Sequence, residues 1–443
     1  MEDAPPCPRG GHPSCWGRRT SPVESARTML NSLDPETLQT DSGTPSRPRR
    51  VVFVSNGHGE DRIAAAIARR WNVPGTTCVA FPIVGDGHAL QEVGLPVVAP
   101  TLRMPSGGFI LRSVRALWHD LREGLLGLTL RQIAGMRRMR GDVDLVVAVG
   151  DVVPLFFAWL SRAPFVFVGC AKSDHYLGGR FGSYGLLERW FIRHPRCRAI
   201  YPRDGQTARN LIERGYRARD LGNPMMDDLE APPDTPWPLP EGCRRIGFLP
   251  GSRDEAYDNF PGLLTCCEAI ARTAPYGAPV AFYAAIAPTL DVARLAGGAR
   301  SIGWRHEATS DTLEGPDGLR VQLCRGQFGA WIHLVEGVVG LAGTANEQCV
   351  GMGLPVVTYA GTGPQFNAHF AEAQTRLLGE SVSRVDPHPD NVARELWAML
   401  TDRDRLERIR KNGTARMGSP GASSRIVADA ASHLTGGEPW SGR

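Results

Sequence analysis

The stretch EGVVGLAGTANEQCVGMGLPVVTY, residues 336–359, indicates the fold of this chain. A short apolar strand, 337–341, leads into a loop of small residues and then into a helix from 345 to about 352. Gly353 and Pro355 are typical of a helix end, and a second apolar strand follows them. Strand, loop, helix and strand in this order predict an α/β protein with a parallel sheet.

The loop within this stretch is a candidate ligand site. Its residues carry no bulky side chains, so a ligand phosphate could approach the first N–H groups of the helix, whose dipole favours negative charge. Glu347, one turn into the helix, could accept hydrogen bonds from the hydroxyls of a ribose. The same residues also fit a capping box, with Thr344 as the N-cap and Glu347 reaching back to it. The stretch alone leaves both interpretations open.

Length, composition and charge narrow the class of protein. A chain of 443 residues exceeds one ordinary core, so we expect two domains of roughly 150 to 200 residues each. A hydrophobic content of 42% and a charged content of 22% are typical of soluble globular proteins. The net charge of +4 is slight for this length and argues against a nucleic-acid partner. Ten cysteines without a CxxC pair favour reduced thiols and a cytoplasmic protein.

Changes in composition along the chain predict its domain organisation. The first segment is rich in Pro, Gly, Ser and Arg and lacks apolar periodicity, which indicates disorder. A proline-rich stretch, APPDTPWPLPEG, resembles a linker between two α/β halves. The predicted segments are a disordered extension at 1–49, a first half at 50–230, a linker at 231–243, a second half at 244–410, and a C-terminal helix and tail at 411–443. The last helices are expected at 391–410 and 423–433.

The first half opens with a second strand, glycine loop and helix. An apolar run at 51–54 precedes SNGHGED, and an alanine-rich helix follows. His58, Glu60 and Asp61 therefore lie at the carboxyl edge of the first strand, where open α/β sheets bind ligands. The two acids also suit a simpler role, in which they complement the positive end of the helix dipole.

Two further charged residues follow predicted strands. Asp151 comes after the apolar strand 144–149 and is a candidate general base. It is equally suited to act as the N-cap of the next helix. Arg253, in the turn Pro-Gly-Ser-Arg, could pair with a phosphate, although a lone arginine in a turn is also an ordinary surface residue.

Residues 110–140 mix leucines with arginines over a long helical stretch. Such a mixture could lie on an anionic membrane surface. The alternative is a helix that packs on the sheet and exposes a basic face to solvent. No apolar run of the sequence reaches the roughly 20 residues needed to span a bilayer.

Taken together, five motifs resemble those of lipid-A-disaccharide synthase and its relatives, and most closely the lipid-A-disaccharide synthase-related group. They are NGHGED at 56–61, GD at 150–151, GNPMMD at 222–227, LPGSR at 249–253 and AGTANEQ at 342–348. The resemblance covers about 50 to 430. It implies the GT-B fold, an α/β architecture of two Rossmann-like domains that face each other across a cleft.

The resemblance also implies roles for individual residues. Asp151 would be the catalytic base, assisted by His58, and Glu347 would bind the nucleotide ribose. The donor UDP-sugar would be bound by Gly251, Ser252, Arg253, Gly343, Thr344, Ala345, Glu347 and Gln348. The acceptor substrate would be bound by Asn56, Gly57, Gly59, Glu60 and Asn223. No Asp-X-Asp motif stands at a suitable place, so we expect no metal and no separate cofactor.

The reaction so implied is an inverting transfer of a sugar from a UDP-sugar, similar to UDP-GlcNAc, to a lipid-linked or amphipathic acceptor. The protein would be cytoplasmic and could contact the inner face of a membrane. One alternative is an enzyme similar to UDP-GlcNAc 2-epimerase. Another is a nucleotide-sugar-binding protein without turnover, because one residue separates the GTA from Glu347, whereas the family has two.

Overall fold

The computed structural model describes residues 47–100, 125–177, 182–232, 234–363 and 366–434. Most of the predicted disordered extension, and residues 110–124 of the mixed apolar and basic stretch, lie outside the described residues. The compact unit that begins at Pro48 contains two α/β halves, each built on its own sheet.

The first sheet consists of five parallel strands in the order β2-β1-β3-β4-β5. These strands are β1 (Arg49–Ser55), β2 (Thr76–Pro82), β3 (Leu145–Val149), β4 (Phe165–Gly169) and β5 (Cys197–Pro202). Every residue of β3 and β4 is buried. Burial on both faces explains why these strands read as continuous apolar runs rather than as alternating patterns.

Helices cover both faces of the first sheet. They are α1 (His58–Arg69), α2 (His88–Glu92), α3 (Leu125–Arg138), α4 (Val152–Ser161), α5 (Asp174–Leu177), α6 (Leu186–Arg193) and α7 (Gly205–Glu213). The apolar residues of α3, α4 and α6 share one core with one face of the sheet. Those of α1 and α2 pack on the opposite face.

The second sheet has eight strands in the order β13-β12-β11-β6-β7-β10-β9-β8. These strands are β6 (Arg244–Leu249), β7 (Val280–Ile286), β8 (Arg305–Glu307), β9 (Thr312–Glu314), β10 (Arg320–Arg325), β11 (Gly337–Gly340), β12 (Val356–Thr358) and β13 (Val382–Arg384). Six of them are parallel, while β8 and β9 add an antiparallel edge. The strand that opens the fold-determining stretch, β11, lies inside this sheet beside β6.

The helices of the second half are α8 (Glu255–Arg272), α9 (Val292–Arg300), α10 (Phe328–Leu334), α11 (Thr344–Gly351), α12 (Ala368–Leu378), α13 (Pro389–Thr401), α14 (Arg403–Met417) and α15 (Ala422–Ser432). The prediction of a single helix at 391–410 is wrong. The chain breaks at Asp402, whose side chain accepts the Arg405 N–H at 2.9 Å and caps α14. The predicted domain limit at 410 falls inside α14, and the domain limits stay predictions.

The C-terminal helix, α15, packs on the first half. Ile426, Val427 and Ala430 share a core with α1 and the first sheet. The Tyr201 hydroxyl at the end of β5 donates a hydrogen bond to Asp429 of α15 at 2.7 Å. Helix α15 therefore belongs to the packing of the first half. Among the described residues, no helix has the length and apolar character needed to cross a membrane.

Candidate active site

The candidate site residues of the first half lie where its parallel strands end. Parallel strands share one carboxyl edge, so the loops after β1, β3, β4 and β5 meet there. These loops carry Asn56, Asp151, Cys170 and Arg203. The sequence predicts the first two of these positions and does not single out the others.

Asp151 is hydrogen-bonded to the helix that follows it and to the loop after β1. Its Oδ1 accepts the backbone N–H of Val153 at 2.9 Å and the Asn56 side-chain amide at 3.3 Å. The first of these contacts makes Asp151 the N-cap of α4. Asp151 therefore has the capping role that the sequence left open. Its contact with Asn56 also places it next to the loop after β1. Its role as a base stays a prediction.

Glu60 lies beside Asp151 and is partly buried. A Cβ atom added to Gly150, whose φ is 130°, would stand 3.1 Å from Glu60 Cγ. The Glu60 side chain therefore packs directly against this glycine. Burial, together with the negative charges of Asp151 and Asp61, raises the pKa of Glu60 to about 7, against a backbone hydrogen bond that lowers it. Glu60 therefore exchanges a proton near neutral pH, a property suited to acid–base chemistry. The sequence offers no signal for that shift.

The remaining predicted residues of the first loop differ in exposure. Gly57 is buried and precedes α1, with φ at 127°. His58 and Gly59 are exposed, and a Cβ on Gly85 would stand 3.7 Å from the His58 ring. His58 lies at the same sheet edge as Asp151, and within the described chain the two share no hydrogen bond. Asp61 is buried, accepts the Ser55 hydroxyl at 2.5 Å, and has its pKa raised to about 6 by burial.

The two predicted donor loops of the second half lie side by side. Strands β6 and β11 are neighbours, and the Leu341 N–H donates to the Leu249 carbonyl at 2.8 Å. Gly251 has φ at 111°, and a Cβ there would stand 3.3 Å from the Leu341 carbonyl oxygen. Ser252 is exposed and Arg253 is partly buried in the turn before α8. The structure thus brings together residues that lie about ninety positions apart in the sequence.

Helix α11 begins at Thr344, one residue earlier than predicted, and Gly343 is its N-cap. The capping-box interpretation is wrong, because Thr344 is the first helical residue. The Glu347 carboxylate accepts its hydrogen bond from Arg203 of the first half instead. The first N–H groups of an α-helix lack partners within the helix, so the start of α11 can bind an anion.

Two buried amides fix the backbone of this loop. The Asn346 side-chain amide donates to the Gly340 carbonyl at 3.1 Å and to Gln374 Oε1 at 2.9 Å. The Gln374 amide in turn donates to the Ala342 and Gly343 carbonyls, both at 3.1 Å. Asn346 and Gln374 are at most 3% exposed. Gln374 comes from α12, 28 residues further on, and the sequence gives no sign of its role.

The two halves are joined directly at the site. Arg203 Nη2 donates to Glu347 Oε2 at 2.8 Å. The Gln348 side-chain amide donates to the Met225 carbonyl at 2.9 Å. Asn223 is fully buried, and its Oδ1 accepts the Met225 N–H at 3.1 Å. The side chains of Gln348 and Asn223 therefore both form hydrogen bonds with the backbone of Met225, within the predicted GNPMMD motif.

The described residues contain no cluster of three or more His, Cys, Asp or Glu side chains arranged to hold a metal ion. The expectation that the reaction uses no metal stays a prediction, as do the ligand-binding roles of the individual residues above.

Two α/β domains with parallel sheets and meeting carboxyl edges define the GT-B fold, and solved structures with this fold are similar to the chain. CalG4, the calicheamicin glycosyltransferase, is 17% identical with a TM-score of 0.55, and the match covers 88% of this chain and 99% of CalG4.

Two other similar structures contain a nucleotide or a nucleotide sugar. MnaA of S. aureus, solved with UDP, is 12% identical with a TM-score of 0.55, over 87% of this chain and 97% of MnaA. UDP-GlcNAc 2-epimerase from Neisseria meningitidis, bound to UDP-GlcNAc, is 12% identical with a TM-score of 0.51, over 86% and 99%. No protein-family model and no curated protein matches the sequence. At these identities the likeness shows the fold, and the resemblance to lipid-A-disaccharide synthase stays a prediction.

Proposed function

We propose that this protein is an inverting glycosyltransferase that moves a sugar from a UDP-sugar, similar to UDP-GlcNAc, to a lipid-linked or amphipathic acceptor. The observation that carries this proposal is that a candidate phosphate-binding loop and a pair of candidate proton acceptors lie at the junction of the two halves. The hydrogen bond between Arg203 and Glu347 joins a small-residue loop and helix start in the second half to the strand-end edge of the first half, which also carries Asp151 and Glu60.

The second half supplies the donor site in this proposal. The diphosphate rests against the start of α11 at Gly343, where helix N–H groups and the helix dipole favour negative charge. Arg253, on the adjoining loop after β6, pairs with the same phosphates, and Glu347 accepts hydrogen bonds from the ribose. UDP and UDP-GlcNAc in two of the similar structures support a UDP-sugar as the ligand.

The first half supplies the proton acceptor. The acceptor hydroxyl oxygen attacks the anomeric carbon as the bond between that carbon and the UDP oxygen breaks, and its proton passes to Asp151 or to the neighbouring Glu60. UDP leaves with the bonding electrons, and the start of α11 and Arg253 stabilise the charge it gains. Attack from the side opposite the leaving group inverts the anomeric configuration.

One surface of the first half supports an amphipathic acceptor and contact with a membrane. Helices α3, α4 and α6 lie together on one face of the sheet, and large apolar side chains project from them into solvent. The exposed set is Leu130 at 64%, Leu186 at 81%, Leu187 at 58% and Trp190 at 52%. The Trp190 ring stands 5.5 Å from that of Trp159, which extends the apolar area onto α4.

Arginines border this surface. Arg140 and Arg196 donate to the carbonyls of Leu160 and Trp159 at the end of α4, at 2.9 and 3.0 Å. Burial and the charges of Arg162 and Arg140 lower the pKa of Arg196, which indicates that these cations lie close together. Exposed apolar side chains beside grouped arginines suit a membrane with anionic lipids.

A reaction similar to that of UDP-GlcNAc 2-epimerase is the second candidate. An epimerase of this kind is among the similar structures. It would act on the UDP-sugar alone, and Glu60 beside Asp151 would provide two carboxyl groups for proton transfer at the sugar.

Incubation of the full chain with UDP-GlcNAc, with and without membrane lipids, separates these candidates. Release of UDP that requires lipid, together with sugar recovered in the lipid fraction, supports the transferase. An epimerised sugar without lipid supports the second candidate. Binding of UDP-GlcNAc without any product would contradict both and leave a nucleotide-sugar-binding protein.

Flotation with liposomes tests the membrane contact. We expect the protein to float with vesicles containing phosphatidylglycerol at low salt and to remain in solution with phosphatidylcholine alone. A Leu187→Ser/Trp190→Ser variant should lose flotation. The control is Tyr276→Ser, which removes a fully exposed aromatic ring from the second half. Equal flotation of all three proteins would remove the membrane from the proposal.

A further inference from the structure

Arg203 is a buried cation at the junction of the two halves. It follows β5, and only 5% of it is exposed. Its Nη1 donates to the Cys170 carbonyl at 3.3 Å, and its Nη2 lies 3.5 Å from Met417 Sδ. Burial lowers the pKa of Arg203, but the negative charge of Glu347, the hydrogen bond to Glu347 and the negative charge of Asp204 together outweigh burial and raise the pKa overall. The guanidinium is therefore charged, and Glu347 is its main counter-ion.

Glu347 uses one carboxylate oxygen for this contact. Oε2 accepts from Arg203 at 2.8 Å, and 13% of the side chain is exposed. Within the part of the chain that the structure describes, Oε1 takes part in no hydrogen bond. The Glu347 N–H donates to the Gly343 carbonyl at 3.3 Å, so the carboxylate lies one turn from the proposed phosphate loop.

A glutamate side chain on a helix surface moves among several rotamers, and a ligand that needs one rotamer must restrict that motion. A guanidinium that already holds one oxygen removes much of this entropic cost before the ligand binds. The same contact fixes the plane of the carboxylate, and so it also fixes the direction of the second oxygen. Supporting residues orient ligand-binding groups in this way in many binding sites.

We propose that Arg203 is a positioning residue, which holds the Glu347 carboxylate in place for the ribose hydroxyls of the donor nucleotide. A residue of the first half then sets how well the second half recognises ribose. This inference rests on the proposed function, because it takes the nucleotide of a UDP-sugar as the ligand of Glu347.

The test compares the binding of UDP and of 2′-deoxy-UDP to the full chain by calorimetry. We expect the wild-type protein to prefer UDP about tenfold, the worth of one hydrogen bond to a charged group. Arg203→Gln should reduce that preference to less than about threefold through weaker UDP binding, with 2′-deoxy-UDP binding little changed. Arg203→Lys, which keeps a cation, should give an intermediate preference.

Arg244→Gln is the matched control. It removes another arginine–glutamate pair, in which Arg244 Nε lies 2.7 Å from Glu336 Oε2, away from the proposed site. A merely structural role of Arg203 would weaken both ligands equally and leave their ratio unchanged. Arg244→Gln should keep the wild-type ratio.

The outcomes separate the inference from the proposed function. A wild-type protein that binds neither nucleotide overturns both. A wild-type preference that Arg203→Gln retains overturns the inference alone. Tighter UDP binding by Arg203→Gln also overturns it, because Arg203 would then compete with the ribose. If circular dichroism shows that Arg203→Gln is unfolded, Arg203→Lys decides: a reduced ratio supports the inference and an unchanged ratio overturns it.

Discussion

The carboxylate of Asp227 accepts the backbone N–H of Ser423 at 2.7 Å, and through this contact the C-terminal helix is fixed to the end of the first half. The N–H groups of Gly421 and Ala422 donate to the same carboxylate, at 2.5 and 3.2 Å. Asp227 is 6% exposed. One buried side chain therefore satisfies three backbone donors at the start of α15, which would otherwise lack partners.

Asp227→Ala should lower the free energy of unfolding by about 1–3 kcal/mol, because it leaves buried N–H groups unpaired. Urea unfolding measures that loss, and hydrogen exchange should show faster exchange in 422–432 than elsewhere. Asp228→Ala is the control, since its ion pairs with Arg69 and Arg70 are partly exposed and contribute about 1 kcal/mol or less. Equal exchange of α15 in both variants would contradict this account of how the helix is held.

Glu60 should make the protein less stable as the pH rises. Its pKa is about 7 in the folded chain, against an ordinary value of 4.5. Between these two values the folded state binds more protons than the unfolded state, so the free energy of unfolding falls with increasing pH. Glu60→Gln removes that dependence. It should leave the melting temperature nearly unchanged at pH 4.5 and increase the stability at pH 8 by about 3 kcal/mol.

Melting temperatures of the wild type and of Glu60→Gln between pH 4.5 and pH 8 test this pH dependence. Asp61, with its pKa raised to about 6, should leave a smaller slope of the same sign in the variant. Glu213→Gln, an exposed position on α7, is the control and should follow the wild-type curve. A variant that gains no stability at pH 8 would show that Glu60 is already ionised at neutral pH.

Asp151→Asn should reduce sugar transfer about 10²-fold or more, while UDP affinity stays within about twofold. The amide oxygen of asparagine can still accept the Val153 N–H, so the N-cap of α4 is kept and the proton acceptor is lost. Asp402→Asn makes the same change at the N-cap of α14, away from the site, and should leave transfer unchanged. UDP release and UDP binding are the measurements. Near-normal turnover of Asp151→Asn would exclude it as the base.

The elements that the sequence predicts well are those whose signal lies within a few neighbouring residues. A buried strand such as β3 is a continuous apolar run, and Gly353 ends a helix because its backbone needs φ at 81°. The two α/β halves and the positions of the loops after β6 and β11 follow from such local signals, whereas the GT-B fold follows from the resemblance of the five motifs. The helix break at Asp402 also has a local signal, since Asp is a preferred N-cap. The apolar periodicity on either side obscures that signal.

The contacts that join distant parts of the chain have no comparable signal. Arg203 and Glu347 lie 144 residues apart, and nothing in either local sequence indicates the other. The raised pKa of Glu60 depends on how deeply the folded chain buries it, which periodicity does not give. The return of α15 to the first half is likewise a matter of tertiary packing.

Substitutions at two glycines of the stretch 336–359 can distinguish a structural role from a binding role. A Cβ at Gly340 would stand 2.0 Å from Asn346 Oδ1, whereas a Cβ at Gly343 would meet Phe370 at an ordinary 3.5 Å. Gly340→Ala should therefore displace Asn346 and destabilise the protein by about 1–3 kcal/mol. Gly343→Ala should cost less than about 1 kcal/mol.

Gly343→Ala, which costs little stability, should have the larger effect on UDP binding. Its methyl group lies where the proposed phosphate approaches the first N–H groups of α11, so UDP affinity should fall about tenfold in a protein that remains folded. Urea unfolding and calorimetry with UDP give the two quantities for each variant. If Gly343→Ala binds UDP as tightly as the wild type does, the diphosphate does not rest on this loop, and the donor site must be sought elsewhere along the carboxyl edge of the second sheet.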